Sequence, residues 1–200
     1  HIKTFKDNNR VRMWKNYFLT RGKDRFVDAL NRGQKYKKTI LSILKNHDLP
    51  PLFYYVPLIE SYFKTYARSS AQAVGIWQFV RPTAKSLNLK INSWLDERRD
   101  PFRSTIAAAK YLKTLHRRFE SWELALAAYN MGETRIARIM EQNELDDFWL
   151  LSEEGLLPQE TRDYVPKLIA AILIGERPEE HGIELIPADY DHSLTLVSVP

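Results

Sequence analysis

The sequence predicts a mainly α-helical domain, and three observations carry that prediction. Apolar residues recur at helical spacing, as Ile106, Ala109, Leu112, Leu115 and Phe119 do. Proline and glycine separate such stretches into pieces of ordinary helix length. No series of alternating apolar and polar residues marks a set of strands. Helices packed around a cleft are the expected arrangement.

Taken in order, residues 1–32 are basic and aromatic (Phe5, Trp14, Tyr17, Phe18, Phe26), with an amphipathic stretch from Met13 to Leu30. A second helix is expected from Lys35 to Asn46, with Ile40, Leu41 and Leu44 at its apolar face. Pro50 and Pro51 stop it, because proline lacks an N–H and disfavours helix before it. The apolar run LFYYVPLIESYF carries Pro57, so it is either kinked there or begins its regular helix there. Small apolar residues follow from Ala71 to Trp77, and Pro82-Thr83 opens a helix through Leu87. Asn88 to Trp94 reads as a turn region and ERRDP as a polar break. Ser104 is the expected N-cap of the helix ending near Phe119. Trp122 to Asn130 is the most apolar helix, closed by Gly132, and another runs from Arg135 to Gln142. Pro158 starts a last helix with Pro166 inside it as a predicted kink. The β-branched tail from His181 reads as an extended strap.

Two hundred residues suit one domain, with or without arms. No apolar run reaches the ~18 residues of a membrane span. The opening HIKTFKDNNR is charged and is no signal peptide, so it reads as the start of a mature or excised chain. Cysteine is absent, which fits cytoplasm and periplasm alike and removes thiol chemistry. The excess of 30 Lys+Arg over 25 Asp+Glu gives +5, attractive to polyanions or simply a solubility charge.

Several chemistries can be set aside. The five histidines show no metal-ligand spacing, and no phosphate-binding glycine loop or GxSxG elbow is present. The basic segments RGQKYKK and KYLKTLHRR read as solvated helix faces, so no nucleic acid is expected as a partner.

Glu60 remains. It lies in PLIESYF, with Phe53, Tyr54 and Tyr55 within two helical turns upstream. A carboxyl in apolar surroundings loses hydration of its charged form, so its pKa rises, as a general acid requires. A surface glutamate facing water beside a core stripe is the other reading of the same residues. Further along come Ser69, then AVGIWQF with Gly75, Trp77 and Gln78, then Thr83. LAAYNMGE supplies Tyr129, Asn130 and Gly132, and LPQETRDYVPKL supplies Glu160, Thr161, Tyr164 and Pro166.

In order and spacing this set resembles the lytic transglycosylases of the soluble and goose-lysozyme lineage, nearest the membrane-bound type D branch. The resemblance runs from about Leu49 to about Gly182 and rests on four spaced motifs. It implies a lysozyme-like helical domain at 47–182, with a substrate cleft, an N-terminal helical arm at 1–46 and an extended tail at 183–200. It implies cleavage of the MurNAc–GlcNAc β-1,4 bond of peptidoglycan, with Glu60 as catalytic acid and then base. Ser69, Gln78, Tyr129 and Asn130 become substrate-binding residues, with hydrogen-bond donors from Gln78 and Tyr129 holding the sugar. Glu160 becomes a supporting residue. Gly75 allows close approach to a sugar or is a turn glycine, and Trp77 is expected in the core. One departure stands out: relatives read Q-x-x-P-x-T, and here QFVRPT puts Arg81 in the proline's place.

The family's reaction needs one carboxylate where ordinary glycosidases use two. Neither Glu133 nor Asp100 is spaced as an obvious second member. The product carries a 1,6-anhydro end, and no cofactor or metal is involved. A goose-type lysozyme acting through water and a non-catalytic peptidoglycan-binding module are the alternatives. The resemblance further implies a monomer in the bacterial periplasm, with an outer-membrane lipid anchor and wall-binding modules outside this stretch.

Overall fold

A computed structural model describes residues 8–187, and within them the fold is helical, with isolated bridge pairs in place of strands. Helix α1 (Asn9–Leu19) is started by Asn8, whose side chain accepts from the N–H groups of Arg10 and Val11. Helix α2 (Lys23–Asn46) follows after a break at residues 20–22. The sequence placed one amphipathic stretch across that break and a boundary before Lys35. Both expectations fail, the second for a packing reason. Gly33 sits in the middle of α2 because a Cβ there would lie 2.5 Å from the Tyr54 hydroxyl and 2.6 Å from the Phe63 ring. It marks close approach of another element, not a helix end.

A 3-10 turn at Pro51–Tyr55 leads into α3 (Val56–Ser61), where Pro57 occupies the first turn and its missing N–H costs nothing. The regular helix begins near Pro57, the second of the two alternatives. Tyr62 and Phe63 both adopt left-handed φ values of 54° and 57° and end α3 abruptly. Helix α4 (Arg81–Ser86) keeps its place despite the QFVRPT departure, with Pro82 in its first turn.

Helix α5 (Pro101–Phe119) starts earlier than expected. Asp100 is the cap, accepting from Phe102 and Arg103 N–H, while Ser104 is buried and donates back to the Asp100 carbonyl at 2.6 Å. Helix α6 (Trp122–Met131) is capped by Ser121 and closed by Gly132, and its residues Leu124 to Ala128 are all buried. Helices α7 (Glu133–Asn143) and α8 (Phe148–Glu153) follow, then α9 (Gln159–Gly175). No pattern in the sequence pointed to α8. Pro166 lies inside α9, which is continuous from Gln159 to Gly175.

Helix α6 sits at the centre, packed on α5, α7 and α9, its alanines allowing the neighbours close. Helix α1 lies along α9, and α2 packs on α5 and the turn before α3. One contiguous core results, from Val11 in α1 through Ile40, Leu58 and Leu126 to Ile183. Fully burying a Val or Phe contributes ~1.5–3 kcal/mol, so α1, with Val11 and Phe18 buried, belongs energetically to the same unit as the rest. Past α9, Ile183 is buried without regular structure and the Ile186 N–H donates to Asn31 Oδ1 at 2.8 Å. The remainder of the expected tail, 188–200, lies outside the described residues.

Candidate active site

Glu60 occupies the last turn of α3, partly accessible on one side and enclosed by protein on the others. Two cavities of about 350 and 390 Å³ flank it. Glu60, Ser69, Gln78, Asn130 and Glu160 line both, so they form one cleft with the glutamate at its middle. The first half is completed by Phe79, Thr83, Tyr111, Tyr129 and Gly132. The second is completed by Trp14, Ile59, Asp163, Tyr164 and Lys167. All six residues singled out in the sequence therefore meet in one place.

One wall is the loop of residues 62–80, and polar bonds shape it. The buried Arg98 guanidinium pairs with Asp96 at 2.7 Å and donates to the carbonyls of Gln72 and Phe79. Ser61 Oγ, also buried, donates to Ile76 O at 2.9 Å. Ser69 Oγ lines the cleft and accepts the Ala73 N–H at 3.1 Å. Gly75 has φ +85°, and a Cβ on it would lie 1.8 Å from the Arg98 carbonyl oxygen. Its glycine answers a turn and a backbone contact rather than a sugar. Trp77 is fully buried and its indole donates to Thr105 Oγ1 at 2.8 Å, as the core reading expects.

The donors expected to hold a sugar are already engaged. Gln78 Nε2 donates to Gly75 O at 2.8 Å, and the Tyr129 hydroxyl donates to Trp77 O at 2.7 Å. What they retain is acceptor capacity, the amide oxygen and the phenol lone pairs. Tyr129 also joins Tyr111 and Phe79 in an aromatic cluster with centroids 5.7–6.4 Å apart. Asn130 is held from α9, accepting from Thr161 Oγ1 at 2.8 Å and donating to Glu160 at 3.5 Å.

The other wall is one face of α9. Glu160, Tyr164 and Lys167 are spaced four and three apart and so share that face. Tyr164 is buried, and its hydroxyl donates to Glu60 Oε1 at 2.6 Å. In the sequence Tyr164 stands in a motif without an expected role, and Lys167 carries none either. The spacing could have shown both. Trp14 reaches the cleft through packing of distant helices, which no local pattern signals.

Burial raises the Glu60 pKa from 4.5 to about 7. The Tyr164 hydrogen bond and the Lys167 charge pull it down, and the Glu160 charge pushes it up. Burial also holds the Tyr164 and Tyr129 phenols well above their ordinary range, so both stay protonated as donors. The other carboxylates of the cleft are engaged: Glu160 with Asn130, and Asp163 with Arg10 at 2.9 Å. Asp100 caps α5 and Glu133 pairs with Arg118, and neither lines the cleft. Among the described residues no three His, Asp or Glu side chains converge as a metal site.

The chain matches the family described as "Transglycosylase SLT domain" over residues 40–151. It is 35% identical over 196 residues to the membrane-bound lytic murein transglycosylase D of Escherichia coli K12. That match covers 96% of this chain and 42% of the relative, so the chain spans less than half the relative's length. It is also 37% identical over 113 residues to the peptidoglycan transglycosylase gp16 of Escherichia phage T7, covering 55% of this chain and 8% of that protein. Among solved structures, an inactive mutant of the lytic transglycosylase Slt from Pseudomonas aeruginosa shares the fold. It aligns with a TM-score of 0.58 and 23% identity over 75% of this chain and 25% of its own.

Proposed function

The chain belongs to the transglycosylase SLT domain family, and from that premise we propose that it cleaves the MurNAc–GlcNAc bond of peptidoglycan without water. The observation that carries the reading is Glu60 itself: a carboxyl in the middle of a cleft, with its pKa held at about 7. Such a group holds a proton at neutral pH and gives it up readily, the balance an acid that must later act as base requires.

Tyr164 donates to Oε1, so the exchangeable proton of Glu60 belongs on Oε2. That proton passes to the glycosidic oxygen as the bond to the anomeric carbon breaks. The N-acetyl group of the substrate stabilises the positive charge left on the sugar. The Glu60 carboxylate then removes the proton of the MurNAc 6-hydroxyl, whose oxygen bonds to the anomeric carbon. A 1,6-anhydro end results, the proton count closes on Glu60, and no cofactor takes part. Ser69 supplies a hydroxyl proton to the strand, and Gln78 and Tyr129 supply acceptors. Asn130, braced by Glu160 and Thr161, fixes the far edge.

The name of the type D relative supports a periplasmic, membrane-associated setting. We place the domain there as a monomer, with a lipid anchor and wall-binding modules elsewhere in a longer protein. No helix of the described residues is long and apolar enough to cross a membrane.

Mass spectrometry of muropeptides released from purified peptidoglycan tests the reading. Products one water lighter than hydrolysis products, without reducing ends, are expected. Reducing MurNAc ends would show that water reaches the anomeric carbon and would overturn it. Absence of any turnover by the unsubstituted protein would leave a binding module instead.

A further inference from the structure

Lys167 is a half-buried cation lining the cleft, and the reaction above does not use it. Its ammonium lies 5.3 Å from the centroid of the Trp14 ring and donates to the Ile59 carbonyl at 3.4 Å. Among the described residues it has no ion-pair partner, although it lines the same half-cleft as three carboxyl groups. Asp163 is taken by Arg10 at 2.9 Å and by Gln159 at 2.7 Å. Glu160 is exposed and turns to Asn130. That leaves Glu60, whose preceding residue already accepts from Lys167.

We propose that Lys167 is the counter-charge for the Glu60 carboxylate, and that Trp14 of the N-terminal helix is the seat that holds its ammonium in place. The proposal rests on Glu60 acting first as acid and then as base. Each turnover leaves a buried carboxylate for part of the cycle, and a buried anion needs an opposite charge or strong donors nearby. Tyr164 supplies the donor and Lys167 the charge. An indole face holds an ammonium without neutralising it, which a carboxylate partner would do.

The groups facing Glu60 are few. From α9 come Tyr164, Lys167, Glu160 and Asp163, the last paired with Arg10; from α6 comes Tyr129. The loop wall presents the uncharged Ser69 and Gln78, and α1 presents Trp14. Among the described residues Lys167 is the cation that lines this cleft. The electrostatics agree: the Lys167 charge lowers the Glu60 pKa against burial, and while burial lowers the Lys167 pKa overall, the charge of Glu60 opposes that ahead of Glu160 and Asp163. Lys167 is thus a positioning residue acting through Glu60, and α1, which precedes the matched stretch 40–151, becomes part of the machinery.

Carbon-13 NMR titration of the Glu60 carboxyl in the whole 200-residue chain provides the test, with the signal assigned by its loss in Glu60→Gln. Lys167→Met should move the Glu60 midpoint up by about one pH unit, because an opposite charge at close range is lost. Lys167→Arg should stay within a few tenths, and Trp14→Leu should fall between. The alkaline limb of peptidoglycan digestion should move with the midpoint. A folded Lys167→Met protein with an unmoved midpoint overturns the proposal. Should that variant not fold, nitrogen-15 titration of Lys167 in Glu60→Gln reads the same coupling from the other side. Its midpoint should fall, and an unchanged value is equally fatal. These midpoints need no turnover. Coupled midpoints in a protein that digests nothing would leave the pairing standing and remove the transglycosylase reading; uncoupled midpoints in an active protein would do the reverse.

Discussion

The two walls of the cleft are built on opposite plans. The loop of residues 62–80 is shaped by backbone carbonyls, which collect the polar groups of Arg98, Ser61, Gln78 and Tyr129. Its donors are mostly spent before a substrate arrives, so its contribution is shape. The α9 wall is shaped by apolar packing on α1 and α6, and its polar groups point their chemistry at Glu60. The contrast amounts to a division of labour. Damage to the loop wall should appear mainly as lost stability, and damage to the helix wall mainly as altered rate and pH dependence.

Glu60→Gln, at the seam of the two walls, should have the largest effect. Loss of the proposed acid and base should lower kcat/KM on peptidoglycan on the order of 10³-fold, while pull-down by purified peptidoglycan persists. The loop wall is probed hardest by Gly75→Ala, because the new methyl meets a backbone oxygen that cannot step aside. A loss of ~3–4 kcal/mol in urea unfolding is expected. An alanine variant of wild-type stability would break the claim that this wall is held by backbone contacts.

Glu60 also carries a stability signature with a definite sign. Its folded pKa is about 7, against 4.5 for a fully hydrated glutamate. Below pH 4.5 both the folded and the unfolded chain are protonated there and nothing is lost. Between 4.5 and 7 only the unfolded chain releases the proton, so stability falls as pH rises. Above that range the penalty is complete, on the order of 3 kcal/mol. Glu60→Gln should therefore be more stable than wild type at about pH 8 and close to it at about pH 4, as measured by denaturant unfolding at both. A gain that did not grow with pH would contradict the burial of the carboxyl.

The smallest of these effects is expected from Tyr164→Phe on the helix wall. It removes the 2.6 Å donor to Glu60 and leaves the ring in its packing. The Glu60 midpoint should rise, since that bond lowers it, and kcat should fall roughly tenfold, equivalent to about 1.4 kcal/mol. Stability should change little. A large loss of stability with an unmoved pH profile would reverse the assignment of the two walls.

What could be read from the sequence follows from how local each signal was. Glu60 could be singled out because its apolar neighbours are adjacent in the chain, and α6 because its core residues are consecutive. The start of α5 was misplaced because Asp100 and Ser104 are both capping residues, and only the structure shows Ser104 buried and bonded backward. Helix α8 has six residues, too short for a period. The run of α2 through Gly33 had no local signal, because the reason for a glycine there, the rings of Tyr54 and Phe63, lies roughly 20 to 30 residues away. The same distance problem hid Trp14. The engaged donors of Gln78 and Tyr129 were invisible for another reason: residue type tells which bonds a side chain can make, not which it has already made.

The abrupt end of α3 at Tyr62 and Phe63 has an electrical result. Glu60 is the penultimate residue of that helix, at the end where the peptide dipoles leave partial negative charge. Such an end disfavours a second negative charge by ~0.3–1 kcal/mol, so the backbone itself helps keep the proton on the acid. Two cations sit on the carbonyls there, Lys167 on Ile59 and Arg32 on Tyr62 at 2.7 Å. A helix cut short beside its acid thus acts as a small bias voltage, and its two cationic caps set how much of that bias Glu60 feels.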